Sequence, residues 1–297
     1  PIEISAEQGL GIGDLLDEVI KHFPEHKDTE YDEDVIKIAV IGKPNVGKSS
    51  LINSILGEER VIVTNIPGTT RDAIDTYFNY EDNKYVFIDT AGLRRKRSIY
   101  ENVERYSVVR TLAAVDRSDL CILVVDGTEG VTEQDTKIAG YAHEKGKGII
   151  IAVNKWDIVE KETNTHLKFE KDIKHKLGFI TYAPVVFISA KTGKRINKLF
   201  ELLKVVNNNY NLRISTGVLN DIINEAVILN QPPSDKGIRL KIYYGTQVAV
   251  RPPKFLIFIN RKELMHFSYQ RYLENQIRQY FGFDGVPIQF EFREKGD

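Results

Sequence analysis

A disulfide framework is excluded at the outset, because the 297-residue chain has a single cysteine, Cys121. One thiol within the apolar run Leu120-Cys121-Ile122-Leu123-Val124-Val125 reads as a small core residue in a chain made for a reducing compartment. Neither sign of charge dominates, with 41 basic against 42 acidic residues, so no global field draws the chain toward nucleic acid and any basic surface must be local. Apolar runs long enough to cross a membrane are lacking, and no leader is expected ahead of the fold. The six histidines do not pair with Cys, Asp or Glu at zinc-ligand spacing. Together these absences predict a cytoplasmic protein without a membrane partner.

The sequence has an internal echo. Ile4-Ser5-Ala6-Glu7-Gln8-Gly9, followed by Leu15-Leu16, matches Ile188-Ser189-Ala190-Lys191-Thr192-Gly193, followed by Leu199-Phe200, at a constant offset. Both read as a strand end, a Ser-Ala turn and an amphipathic helix, so residues 1–22 are expected to be the remnant of a preceding domain of the same kind. Residues 23–34 read as a solvated linker, since six of the ten residues 25–34 are acidic and none is a large aliphatic.

From Val35 the pattern changes. Strand-length apolar runs at Val35–Ile41, Lys84–Asp89, Leu120–Asp126, Gly148–Asn154 and Val185–Ser189 alternate with helical periodicity at Lys48–Leu56, Asn102–Val115, Glu133–Glu144, Leu167–Leu177 and Lys198–Val206. This alternation predicts a mostly parallel sheet with helices on both faces. A hairpin-like pair, Ile74–Tyr80 and Lys84–Asp89, suggests an antiparallel edge.

Four motifs follow strands in a fixed order. Gly42-Lys43-Pro44-Asn45-Val46-Gly47-Lys48-Ser49, with Ser50 behind it, is a phosphate-binding loop opening a helix. Its backbone N–H groups converge on phosphates, Lys48 reaches the β- and γ-phosphates, and Ser49 ligates Mg²⁺. In Asp89-Thr90-Ala91-Gly92, the Asp89 carboxylate suits Mg²⁺ and the Gly92 N–H suits the γ-phosphate. Asn154-Lys155-Trp156-Asp157 provides a carboxylate for two N–H groups on the guanine edge, which adenine lacks. In Ser189-Ala190-Lys191, the Ala190 N–H is expected to donate to the guanine carbonyl. The four together predict GTP/GDP binding. Between the first two lies Pro67-Gly68-Thr69-Thr70-Arg71-Asp72, where a threonine can close over Mg²⁺; spacing leaves Thr69 and Thr70 open, with Thr70 favoured.

These residues resemble the GTPases of the translation-factor class, in the group that includes Era and the tRNA-modification GTPase. Pro67–Asp72, then Asp89-Thr90-Ala91-Gly92-Leu93-Arg94-Arg95-Lys96, then Glu104-Arg105-Tyr106-Ser107, are similar to the second GTPase domain of the EngA (Der) family. The resemblance implies an α/β P-loop GTPase domain at 35–206, a C-terminal α+β KH-like domain at 207–297, and the preceding GTPase domain as a partner in the parent chain. It also implies a monomer that turns GTP into GDP and phosphate in the assembly of the bacterial large ribosomal subunit, with that subunit or its rRNA as target. One position departs from many small GTPases: Leu93 stands where a water-orienting Gln follows Asp-x-x-Gly. Relatives with this feature use other means, several of them a K⁺ ion, and the resemblance assigns Asn45 as its ligand. Lys48, Asn45, Thr70 and Gly92 are thus the expected catalytic groups, and Arg94–Arg97 is expected to report phosphate state to an anionic partner. The alternative is a nucleotide-gated RNA- or protein-binding module with incidental hydrolysis. An RNA-modifying enzyme is disfavoured, because no catalytic cysteine or second cofactor site is visible.

Asn207-Asn208-Asn209 reads as a break between the domains. Beyond it the pattern predicts a helix at Thr216–Leu229, strands at Ile238–Tyr244 and Lys254–Ile259, a helix at Tyr269–Phe281 and a strand at Ile288–Arg293, with two helices on one face of three strands. The Gly-x-x-Gly loop of RNA-binding KH domains is missing from its place, and Gly282-Phe283-Asp284-Gly285 has that spelling only after the second helix. Residues 236–262 carry Lys236, Arg239, Lys241, Arg251, Lys254, Arg261 and Lys262 without an acid, interleaved with Tyr243, Tyr244 and Phe255, a local patch suited to phosphates.

Overall fold

The elements in chain order, in a computed structural model describing residues 35–64, 75–81, 83–90, 103–235 and 237–294, are β1 (Val35–Ile41), α1 (Lys48–Leu56), β2 (Val61–Thr64), β3 (Thr76–Tyr80), β4 (Asn83–Phe87), α2 (Val103–Arg117), β5 (Leu120–Asp126), α3 (Glu133–Glu144), β6 (Gly148–Asn154), α4 (Thr165–Lys176), β7 (Val185–Phe187), α5 (Ile196–Tyr210), α6 (Thr216–Leu229), β8 (Ser234–Asp235), β9 (Ile238–Arg239), β10 (Ile242–Ala249), β11 (Lys254–Ile259), α7 (Phe267–Phe281) and β12 (Gln289–Glu294). All of them belong to one compact unit. The expectations for residues 1–22 and 23–34, Thr69, Thr70, Ala91, Gly92, Leu93, Arg94–Arg97 and Lys236 lie outside the described residues.

The first sheet has seven strands in the order β2-β3-β4-β1-β5-β6-β7. Strands β4, β1, β5, β6 and β7 run parallel, and all seven residues of both β5 and β6 are buried, as aliphatic strands covered on two faces must be. The β3–β4 pair is antiparallel as expected, but it is not the edge: β2 pairs outside β3. Helix α5 buries Ile196, Leu199, Phe200, Leu203, Val206 and Tyr210, a stripe at helical spacing, and Phe200 stacks on Tyr80 with ring centroids 3.7 Å apart. The expected break at Asn207-Asn208-Asn209 is corrected here. The helix runs through it, because burying Tyr210 four residues beyond Val206 outweighs the weak helix propensity of asparagine.

The second sheet is β10-β11-β12, with β11 antiparallel to β10 and parallel to β12. Leu219, Ile223 and Ala226 of α6 and Leu273 and Ile277 of α7 join Phe255, Ile257 and Ile259 in one core, so both helices cover one face as the periodicity predicts. Two expectations change. The strand foreseen at Ile238–Tyr244 is interrupted at buried Leu240, so Ile238–Arg239 pairs with β8 in a separate ribbon. In the basic patch, Phe255 is fully buried in that core, Lys254 pairs with Glu291 at 2.7 Å, and Arg251 hydrogen-bonds Asn211. Tyr243 and Tyr244 remain exposed.

Residues Gly282-Phe283-Asp284-Gly285 do follow α7, and they form the joint to the first sheet. The Ile149 N–H donates to the Gly285 carbonyl at 2.7 Å, and the Gly285 N–H to the Tyr182 carbonyl at 2.8 Å. Gly285 has φ 77°, and a Cβ there would lie 2.3 Å from Val206 Cγ2, so only glycine fits. Val286 packs into the core of the first sheet. The Arg278 guanidinium lies 4.6 Å from the Tyr182 ring centroid, and His143 Nδ1 is 2.8 Å from the Tyr182 hydroxyl.

Candidate functional site

The loop 42–49 leaves β1 at the carboxyl end of the sheet and enters α1. Two of its residues must be glycine: a Cβ at Gly42 (φ 138°) would stand 2.4 Å from the Val124 carbonyl oxygen, and one at Gly47 (φ 98°) would stand 2.2 Å from Asn154 Nδ2. Gly47 caps α1, and its carbonyl accepts the Leu51 N–H at 2.8 Å, so the turn opens directly into a helix N-terminus with its anion-favouring dipole. Lys48 is buried, and its Nζ donates to the carbonyls of Gly42 and Lys43, each at 2.7 Å, holding the loop in a ring around the ammonium. Asn45 is exposed at φ 64°, Ser49 is half-buried, Ser50 is exposed, and Pro44 and Val46 complete the turn.

Asn154 ties this loop to the next two. Its amide Nδ2 donates to the Val46 carbonyl at 2.8 Å, and its Oδ1 accepts the Ala190 N–H at 2.9 Å. Both ends of a buried carboxamide are therefore satisfied within the protein. The Ala190 N–H, expected to face the base carbonyl, is directed at Asn154 instead, because a buried amide oxygen 2.9 Å away is its nearest acceptor.

Asp157 is exposed beyond the end of β6. A hydrogen bond with the Ser189 hydroxyl, and then the backbone and the Lys191 charge, hold its carboxyl below the ordinary carboxylate value. The Thr192 N–H donates to Ser189 Oγ at 3.2 Å, so Ser189 is oriented from behind. Trp156 packs beneath this loop, with centroids 4.3 Å from Phe187 and 5.4 Å from Phe169. Lys155, at φ 60°, reaches back to Asp126 Oδ2 at 2.5 Å. Burial alone would raise the Asp126 carboxyl, but hydrogen bonds from Lys155 and Thr128 outweigh it and hold it low.

Sequence motifs do not single out the loop after β5, yet it belongs to the site. Thr128 donates its N–H (2.9 Å) and hydroxyl (2.7 Å) to Asp126 Oδ1, and Glu129 pairs with Lys43 of the phosphate loop at 2.5 Å. The available signal is Asp126-Gly127 closing a buried strand just as Asp89 closes another.

At the other flank Asp89 sits at φ 57°, and its N–H donates to Asp75 Oδ1 at 2.8 Å. Thr90 is buried, 2.8 Å from the Thr76 hydroxyl. A serine hydroxyl at position 49 and a carboxylate at 89 are hard oxygen donors of the kind Mg²⁺ takes. The structure thus brings together the loop 42–49, Asn154–Asp157 and Ser189–Lys191 through direct hydrogen bonds, and sets Asp89 at the end of the strand beside β1.

The chain is similar to known proteins. Residues 37–155 match the family model described as 50S ribosome-binding GTPase, and residues 213–293 match the KH-domain-like family at the C-terminus of EngA bacterial GTPase enzymes. GTPase Der of Alkaliphilus metalliredigens is 64% identical over 295 residues, 99% of this chain and 67% of that protein. GTPase Der of Finegoldia magna is 64% identical over 293 residues, again 99% of this chain and 67% of the relative. The chain therefore spans about two thirds of these relatives' length. A crystal structure of Era with MgGDPNP and a segment of 16S ribosomal RNA aligns over 88% of this chain and 93% of that one, at 23% identity and a TM-score of 0.45. No described helix is long and apolar enough to cross a membrane.

Proposed function

Because the chain belongs to the GTPase Der family, and so binds and hydrolyses GTP, we propose that it is a nucleotide-driven switch in the assembly of the bacterial large ribosomal subunit. The observation that carries this reading is Asn154. One buried side chain joins the phosphate loop at Val46 to the base-side loop at Ala190, so the phosphate and base ends form a single site. The family description for residues 37–155, a GTPase that binds the 50S particle, supports the target. In this reading the chain acts as a cytoplasmic monomer, with a nucleotide domain that runs from 35 to the end of α5 at Tyr210 and a KH-like domain beyond it.

The residues divide the work. The Gly42–Gly47 amides and the Lys48 ammonium take the β- and γ-phosphates, exchanging loop carbonyls for phosphate oxygens. Ser49 and Asp89, with Thr70 or Thr69 from the segment between β2 and β3, hold Mg²⁺, which neutralises phosphate charge when bound. Gly92 is assigned to the γ-phosphate through its N–H, with Thr90, Ala91 and Leu93 its neighbours in sequence. Asp157 stays ionised and accepts two guanine N–H groups; an adenine there leaves the carboxylate unpaired. Lys155 flanks the base from its tether on Asp126, beside Ser189 and Lys191. A guanine carbonyl reaching the Ala190 N–H shares it with Asn154.

Leu93 can neither donate nor accept a proton, so hydrolysis proceeds without a water-orienting Gln. Asn45, exposed at a left-handed position of the phosphate loop, would hold K⁺ through its carboxamide oxygen, and the ion would supply positive charge beside Lys48. Single-turnover hydrolysis in KCl and in NaCl at equal ionic strength, with and without large ribosomal subunits, tests both claims. Faster turnover is expected in KCl and in the presence of subunits. Equal rates in the two salts remove Asn45 as an ion ligand. Indifference to subunits removes the assembly reading in favour of a nucleotide-gated module that binds some other partner.

A further inference from the structure

The ladder between β3 and β4 ends at Thr76 opposite Phe87, yet the chain stays joined beyond it. Past that point side chains replace backbone pairing. The Thr76 hydroxyl lies 2.8 Å from that of Thr90, and Asp75 Oδ1 accepts the Asp89 N–H at 2.8 Å. The second Asp75 oxygen, Oδ2, takes Arg117 Nη2 at 2.5 Å. The Asp75 side chain is 7% exposed, so its carboxylate is shielded from water and its two partners count for more than they would at the surface. Arg117 is the last residue of α2.

One carboxylate, just ahead of β3, thus joins the residue two beyond the end of β4 to the end of the next helix. Asp89, its central partner, occupies the left-handed region that an L side chain adopts only when its surroundings hold it there. Its N–H, turned out of the sheet ladder, needs an acceptor, and Asp75 supplies a charged one. In sequence, Asp75 follows directly on the segment carrying Thr69 and Thr70, and α2 follows directly on the segment carrying Gly92 and Leu93.

We propose that Asp75 is a positioning residue for the Mg²⁺ side of the nucleotide site, fixing Asp89 in its left-handed conformation and joining it, through Arg117, to the end of α2. This rests on the reading of Asp89 as an ion ligand. Asp75 acts through the backbone of Asp89.

The test is the rate at which fluorescent mant-GDP leaves the full chain, in excess Mg²⁺ and in EDTA. In Mg²⁺, Asp75→Ala is expected to release the nucleotide about tenfold faster, the factor set by losing one hydrogen bond to a charged group. In EDTA its rate is expected to equal the parent's, because loop, lysine and base contacts are untouched. Asp75→Asn keeps a side-chain oxygen for the Asp89 N–H and is expected to stay within about twofold of the parent, the scale of a charge-assisted bond made neutral. It serves as the folded control should Asp75→Ala lose structure. A parent-like Mg²⁺ rate in Asp75→Ala, equal acceleration in EDTA, or an Asp75→Asn as fast as Asp75→Ala overturns the proposal. Asp89→Ala separates the premise from the inference: if it leaves the Mg²⁺ effect intact, Asp89 is not an ion ligand and the premise itself fails.

Discussion

At its carboxyl end strand β6 delivers Asn154, Lys155 and Asp157 into loops held by side-chain hydrogen bonds, whereas at its amino end Gly148 and Ile149 are closed over by the second domain. The two ends lie roughly 20 Å apart, six residues of extended chain. At the carboxyl end buried polar groups satisfy one another: Asn154 with Val46 and Ala190, and Asp126 with Lys155 and Thr128. The tips of that network, Asn45 and Asp157, face outward. At the amino end the contact is made by backbone bonds and packed rings: Gly285 is pressed on Val206, and Tyr182 lies between His143 and Arg278. One strand therefore carries a ligand site and a structural joint, and substitutions should separate them.

The largest separation is expected from Asp157→Asn. If Asp157 takes guanine as proposed, two charge-assisted bonds worth about 4 kcal/mol together are lost, so GTP affinity should fall about a thousandfold and preference over ATP should collapse. Because Asp157 is exposed, the melting temperature should not move. Titration with mant-GTP and mant-ATP, beside thermal melts, checks both halves; a large loss of stability would mean that Asp157 holds structure rather than base.

Next in size is a matched pair, Gly47→Ala and Gly285→Ala. Each places a Cβ about as close to a neighbour as the other does, 2.2 Å from Asn154 Nδ2 and 2.3 Å from Val206 Cγ2, at a positive φ. Each should cost about 2–3 kcal/mol of stability. Gly47→Ala displaces the Asn154 amide and should abolish the rise in melting temperature that GDP gives. Gly285→Ala should melt early and keep that rise in full. If both keep it, the two ends of β6 are not independent.

The same contrast governs what can be read from the residues. The nucleotide end is legible because each motif, Gly42 to Ser49 or Asn154 to Asp157, is short, contiguous and tied by its spacing to one piece of chemistry. The supports are not, since Asp75, Arg117 and Glu129 act across long separations and belong to no pattern. Strand β2 escapes because Val61–Thr64 is four residues long, with Ile62 and Val63 both exposed and no alternation to betray a buried face. Phe255 is misplaced by its sequence because β11 reads Lys-Phe-Leu-Ile-Phe-Ile and offers almost no polar residue to tell one face from the other. The Asn207–Asn209 break fails for a tertiary reason, the burial of Tyr210 against the sheet. The Gly282–Gly285 spelling lies outside the place of a KH nucleic-acid loop, and nothing in it tells of the joint that its backbone bonds with Ile149 and Tyr182 make.

The smallest expected effect divides the two ends by pH. His143 sits at the joint, facing the Tyr182 hydroxyl and the Phe179 ring, with Glu144, Glu274 and Arg278 around it. Burial holds its imidazole below the ordinary value of 6.5, the Arg278 charge adds to this, and Glu274 and Glu144 oppose it. The unfolded chain then binds more protons than the folded one between the lowered value and 6.5, so stability present above 6.5 is lost as pH falls through that window. Since the imidazole is only partly shielded from solvent, the melting temperature should drop by about 2 °C between pH 7.5 and 5.5 on its account. His143→Gln should remove that part of the drop. Nucleotide affinity should stay flat over the same interval, because Asp157 is held below the ordinary carboxylate value by Ser189 and remains charged throughout. Thermal melts and mant-GDP titrations at the two pH values, on parent and variant, decide it. A variant that keeps the full drop would place the titrating group elsewhere, and an affinity that falls in step with the melting temperature would mean that protons at the joint are felt along β6 at the nucleotide.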